Sequence, residues 1–202
     1  MSTSYVLDTR GLIYLISSAD PCAIRHYLFY ILMQSAEKSL SMEQLLLWKG
    51  LSQKKLTQLV LKMIDLGWLK NVDENYSLYD DNDQSKFLNE LSELSSTGHI
   101  LLADARGLLL SSRGFDKEKA GYLAASASRL LSINEISRLR NMDLYNGKSW
   151  GITMHWGAMH VRTQYICLGS FKFILAIGGK SRLEIPAFTR LLTSLARRYV
   201  HE

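Results

Sequence analysis

Ser111 and Ser112, the pair His155 and His160 with Cys167, the stretch Gly178-Gly-Lys-Ser181, and the arginines Arg106 and Arg113 are the residues whose types could carry a reaction. A serine nucleophile needs a positioned base, and the sequence places none beside Ser111 or Ser112. His155 and His160 flank an expected turn, with Cys167 farther along the same strand. A zinc site needs several converging ligands, and no second cluster in the sequence supplies them. Gly178-Gly-Lys-Ser181 holds only the tail of the Gly-x-x-x-x-Gly-Lys-Ser/Thr phosphate cradle and reads as a strand-ending turn. Arg106 and Arg113 lie at or beside expected loops, where a guanidinium could reach a nucleotide held by another protein. Solvated surface arginines look the same in sequence. The residues therefore point to no enzyme, no cofactor and no metal, and the chemistry left to consider is recognition.

Charge bears on what is recognised. Residues 1–80 hold eight Lys/Arg and eight Asp/Glu, whereas residues 81–202 hold sixteen basic and eleven acidic residues, so the net +5 belongs to the second half. Lys54, Lys55, Gln58 and Lys62 nevertheless cluster on one side of an expected helix, opposite its apolar stripe. Such a face could contact phosphates and base edges in a major groove, or a protein partner. A neutral half with Asp65 on the same side favours protein, since DNA modules carry a clear positive excess. Nucleic acid is the less favoured partner.

Two distant cysteines without metal spacing suit a reducing cytoplasm. The start MSTSYVLDTRG has no secretory-signal pattern, and no apolar run is long enough to insert in a membrane.

The elements that position these residues fall into two expected domains, 1–82 and 83–202, joined across the polar stretch Asp80-Asp-Asn-Asp-Gln-Ser85. Tyr5–Ile16, interrupted by Asp8-Thr-Arg-Gly11, reads as a hairpin. Asp20-Pro21 opens a helix with Ile24, Tyr27, Leu28, Ile31 and Leu32 at helical spacing. Ser41-Met-Glu-Gln44 is a capping-box pattern for a second helix running through Trp48. Ser52 caps a third, with Leu56, Leu59, Val60 and Met63 inward. Gly67 ends it, and Trp68-Leu-Lys-Asn71 then faces Tyr76-Ser-Leu78 as a short hairpin. This order resembles a winged helix-turn-helix.

The second domain reads α-β-β-α-β-β-β-α, an α+β fold with a five-stranded antiparallel sheet. Its expected elements are a helix over Gln84–Ser96 with Phe87, Leu88, Leu91 and Leu94 inward, and strands Ile100–Ala103 and Leu108–Ser111. Then come an Asp116-capped helix Lys117–Ser132, strands Trp150–Trp156, Met159–Cys167 and Phe171–Ile177, and a helix from Pro186. On a wheel of about 100° per residue, Leu123, Ala127, Leu130 and Leu131 of the middle helix face the sheet. Gly121, Ala124, Ala125 and Ser128 form a second stripe of small side chains. Exposed glycine in a helix costs about 1 kcal/mol against alanine, so the stripe reads as a helix-helix contact with a second copy of the chain.

Leu101-Leu-Ala-Asp-Ala-Arg-Gly-Leu-Leu-Leu-Ser-Ser112, the Asp-capped small-residue helix, the three strands and the final helix together resemble the roadblock/dynein light chain family over about residues 84–202. The resemblance implies a non-enzymatic homodimer, paired through that helix and a neighbouring strand, that scaffolds or regulates a small Ras-like GTPase. Some bacterial members stimulate GTP hydrolysis by their partner. Gly98-His99-Ile100 stands where the family has a longer glycine-containing lead-in, and a winged helix is not part of the basic domain. The alternative expectation is a transcription regulator whose second half dimerises two DNA-binding winged helices. Leu7-Asp-Thr-Arg-Gly-Leu-Ile13 also echoes Ala103-Asp-Ala-Arg-Gly-Leu-Leu109, which suggests one hairpin recipe used twice.

Overall fold

The computed structural model describes residues 4–18, 22–35, 38–72, 91–140, 151–183 and 186–200. They fall into two compact units, one drawn from 1–82, 167–171 and 188–202, the other from 83–166 and 172–187.

The first unit is organised around β1 (Ser4–Leu7), the middle strand of a three-stranded antiparallel sheet. β2 (Leu40–Ser41) pairs on one side, with Tyr5 opposite Leu40, and β3 (Leu69–Val72) on the other, with Leu7 opposite Leu69. The hairpin expected over Tyr5–Ile16 is replaced by β1 followed by helix α1 (Thr9–Ile16). Extended Asp8 caps that helix by accepting the Arg10 amide at 3.1 Å. Leu12, Leu15 and Ile16 then recur at helical spacing and are all buried. Gly11 stays helical and lets the chain lie close to the start of β3, since a Cβ there would stand 2.8 Å from the Trp68 carbonyl oxygen.

Three further helices follow in the expected order: α2 (Ala23–Ser35), α3 (Met42–Leu45) and α4 (Gln53–Asp65). The Ser41 capping box forms, with Ser41 Oγ accepting the Gln44 amide (3.2 Å) and Gln44 Oε1 accepting the Ser41 amide (2.9 Å). α3 is a single turn and stops short of Trp48, which packs instead on the Tyr27 ring at 5.1 Å. Tyr27 is fully buried, and its hydroxyl donates to the Leu45 carbonyl at 2.8 Å, tying α2 to α3. That burial raises the Tyr27 phenol well above the ordinary tyrosine range, with Tyr30 adding to it. Gly67 ends α4 in the left-handed region (φ 65°). The Asp20-Pro21 start, Tyr76–Leu78, the polar seam from Asp80, and Phe87 and Leu88 lie outside the described residues.

The second unit contains a five-stranded antiparallel sheet of order β5-β4-β8-β7-β6. Its strands are β4 (Ile100–Asp104), β5 (Leu109–Arg113), β6 (Gly151–Trp156), β7 (Met159–Leu168) and β8 (Phe171–Gly178), each within a residue or two of expectation. β4 pairs with its hairpin neighbour β5 and with the distant β8, Leu102 opposite Leu175. Helix α5 (Lys117–Arg140) lies between β5 and β6 in sequence and is longer than expected. Leu123, Ala124, Ala127 and Leu131 form one core with Leu101, Ala103, Val161, Ile174 and Ala176 of the sheet. Alternate residues on the other face of the sheet, Ile100, Leu102, Phe173, Leu175 and Ile177, are buried too.

The last helix, α6 (Pro186–Tyr199), groups with the first unit from Phe188 onward. Apolar spacing puts Phe188, Leu191, Leu192, Leu195 and Tyr199 on one face; the first four are buried and Tyr199 is half-buried, while Thr189, Thr193 and Ala196 are buried as well. Thr193 Oγ1 meets its need for a partner by donating to the Thr189 carbonyl at 3.0 Å.

Candidate interaction surfaces

α5 starts where its sequence directs. The Asp116 carboxylate accepts the Lys119 amide at 2.9 Å, and the Asp116 carbonyl accepts the Ala120 amide at 2.9 Å. The small-residue stripe then divides. Ala124 is fully buried, and Ser128 is buried with its Oγ donating to the Ala105 carbonyl at 2.7 Å. Gly121 and Ala125 remain toward the surface.

The inward half of the stripe receives the β4–β5 turn. Gly107 has φ 86°, and a Cβ there would stand 2.9 Å from Ala125 Cα and 3.0 Å from the Ala124 carbonyl oxygen. Only glycine against alanine allows the turn's backbone to rest on the helix backbone this closely. Ala125 shares that explanation through its Cα, but Gly121 does not: among the described residues a Cβ added at Gly121 meets nothing within 4 Å. Tyr122 and Ile133, 63% and 62% exposed, share this outer side. Leu130, expected to face the sheet, is 40% exposed.

The turn is held by Asp104. Its Oδ1 accepts the amides of Arg106 (2.9 Å) and Leu108 (2.8 Å), while Oδ2 accepts Arg106 Nε and pairs with its Nη2, both at 3.0 Å. Slight burial pushes the Asp104 carboxyl upward, but the Leu108 amide and the Arg106 side chain outweigh it, and the group lies below the ordinary aspartate value. The Arg106 side chain is 80% exposed yet already engaged, so meeting another anion means exchanging its Asp104 contact. Arg113 is exposed at the far end of β5, paired across the ladder with Ile100. At about 3.3 Å per residue, the four steps of β5 alone separate the arginines by roughly 13 Å. They do not converge on one site.

The structure does gather Lys54, Lys55, Gln58 and Lys62. All four are exposed along α4, opposite buried Leu56, Val60 and Met63. Leu61 is exposed among them, a feature that reading the helix for its charges passed over.

Gly178-Gly-Lys-Ser181 ends β8 as a turn. The hydroxyls of Ser95 (2.7 Å) and Thr97 (3.1 Å) donate to the Gly178 carbonyl, and the Lys180 amide donates to Ser96 Oγ (2.8 Å). Its groups are thus occupied by Ser95-Ser-Thr97, a clamp that no periodicity marks. His155 and His160 sit opposite each other on β6 and β7, their rings 4.6 Å apart. Among the described residues no three His, Cys, Asp or Glu side chains gather to hold a metal ion.

The sequence matches no family model and no curated protein. Among solved structures, the chain is similar to a Roadblock/LC7 domain from Streptomyces avermitilis at 19% identity and TM-score 0.42, over 59% of this chain and 98% of that one. It is also similar to Myxococcus xanthus MglB at 16% identity and TM-score 0.37, over 57% of this chain and 98% of that one.

Proposed function

We propose that the five-stranded unit is a roadblock-like dimerisation and docking domain, and that the protein is a non-enzymatic scaffold that binds or regulates a small Ras-like GTPase in the cytoplasm. The observation that carries this reading is the outer side of α5. Gly121 and Ala125 leave a shallow strip there, flanked by exposed Tyr122 and Ile133 and by the charged Glu118 and Arg129, and among the described residues nothing meets a Cβ built on Gly121. A close-packed helix from a second copy would give the glycine a use. Ala124 and Ser128 contribute from beneath, by holding the β4–β5 turn against the helix. Arg106 and Arg113, on separate parts of that hairpin, are offered as contacts to the GTPase rather than as one nucleotide site. The order α2, α3, α4, β3 is read as a winged-helix-like module serving protein docking.

Two measurements test the reading. Light scattering on Ala125→Glu should give half the mass of the parent, because a carboxylate would enter a dry helix-helix contact. Purified protein should retain a small Ras-like GTPase from the native organism with a preference for one nucleotide state. A parent of monomeric mass, or equal neglect of every GTPase in both states, would overturn it.

A further inference from the structure

α4 is built to fold with one side and leaves an unusual composition on the other. Leu56, Val60 and Met63 are buried, while Lys54, Gln58, Leu61 and Asp65 run down the outward side, bordered by Lys55 and Lys62. Leu61 is 56% exposed in the middle of this line, and Leu66, the residue that closes the helix, is 41% exposed. No ion pair ties Lys54, Lys55 or Lys62 to any described residue. The first turn carries two lysines and no acidic residue, although the helix macrodipole favours carboxylates there. Folding does not call for this arrangement.

We propose that the outward face of α4 docks an acidic amphipathic segment of a partner protein, with carboxylates on Lys54, Lys55 and Lys62 and an apolar anchor on Leu61 and Leu66. Lysines in the first and last turns with exposed Leu61 and Leu66 between and beyond them are complementary to a helix that interleaves glutamate with leucine. A nucleic-acid backbone matches it less well. Phosphates leave Leu61 and Leu66 without an apolar partner, and the even charge of residues 1–80 gives no wider field to hold a polyanion. The proposal stands whether or not the five-stranded unit dimerises.

The test is fluorescence anisotropy on the full chain with three labelled probes. The first is a short helical glutamate peptide with leucines on one side, the second replaces those leucines with alanine, and the third is a mixed-sequence DNA duplex. The leucine peptide should bind most tightly. Leu61→Ser should weaken it by about tenfold, the scale of removing one central anchor, and so should the combined Lys54→Glu, Lys55→Glu and Lys62→Glu change. All altered side chains are exposed, and an unchanged circular dichroism spectrum confirms that the fold is kept. Added salt should erase the lysine effect and preserve the Leu61 effect. Equal binding of the two peptides, tighter lysine-dependent binding of the duplex, or no binding by any probe would each overturn the proposal.

Discussion

Asp8 and Asp104 start almost the same pentapeptide, and each accepts the amide two residues ahead, from Arg10 and Arg106. What separates helix from turn is the glycine that follows. Gly107 enters the left-handed region, whereas Gly11 stays helical, and the residues beyond Gly11 have helical rather than alternating apolar spacing. The shared motif was legible; its outcome was decided by what each glycine packs against. The glycines of the second unit also differ in the effect expected of a methyl group. Gly107→Ala should destabilise the fold by more than about 1 kcal/mol, combining backbone strain with a clash against Ala125 Cα. Gly121→Ala meets open space and should stabilise an isolated protomer by up to about 1 kcal/mol while weakening self-association. Urea midpoints and light scattering on the two variants separate these effects, and a stronger dimer in Gly121→Ala would count against the packing assigned to it. Asp104 adds a pH signature. Its folded carboxyl lies below the unfolded value, so its contribution is present above the unfolded pKa and is lost as pH falls through the folded one. Asp104→Asn should therefore show a shallower acid-side loss of urea midpoint than the parent.

Among the elements, α5 shows why a wheel drawn from sequence places a helix correctly yet misassigns some of its neighbours. The period identified Leu123, Ala127 and Leu131 as sheet-facing, and they are buried. It could not reveal that the β4–β5 turn folds back over Ala124 and Ser128, because that contact joins residues about twenty positions apart and depends on one glycine's backbone angle. The distinction changes how the helix should be probed. Ala124→Glu forces a carboxylate into a filled core and should unfold the unit, a loss of several kcal/mol. Ala125→Glu leaves the protomer folded and should alter only the mass. Thermal melts alongside light scattering check both; equal melting temperatures in the two variants would contradict the burial difference. Ser41 is the opposite case, a local device whose partners are three residues apart and whose capping box was readable before any fold was known.

For the molecule as a whole, the order β4, β5, α5, β6, β7, β8 was legible from alternation, turns and caps. The pairing of β4 with β8 was not, since nothing in either strand names its partner. A scaffold reading requires that the purified protein neither hydrolyse GTP nor ATP by itself. Turnover that persists through repurification and falls in Arg106→Ala would refute that. The placing of β1 has a different kind of consequence, one of timing. Ser4–Leu7 is the middle strand of its sheet, yet Leu69, the first residue of its longer partner, is made 65 residues later. At about 5–20 residues per second on the ribosome, roughly 3–13 s pass between the two. For all of that interval the edge of Tyr5, Val6 and Leu7 that β3 will fill stays open, and the other edge waits for Leu40 and Ser41, so the newborn chain, rather than the finished protein, is where this unit is most open to wrong pairing.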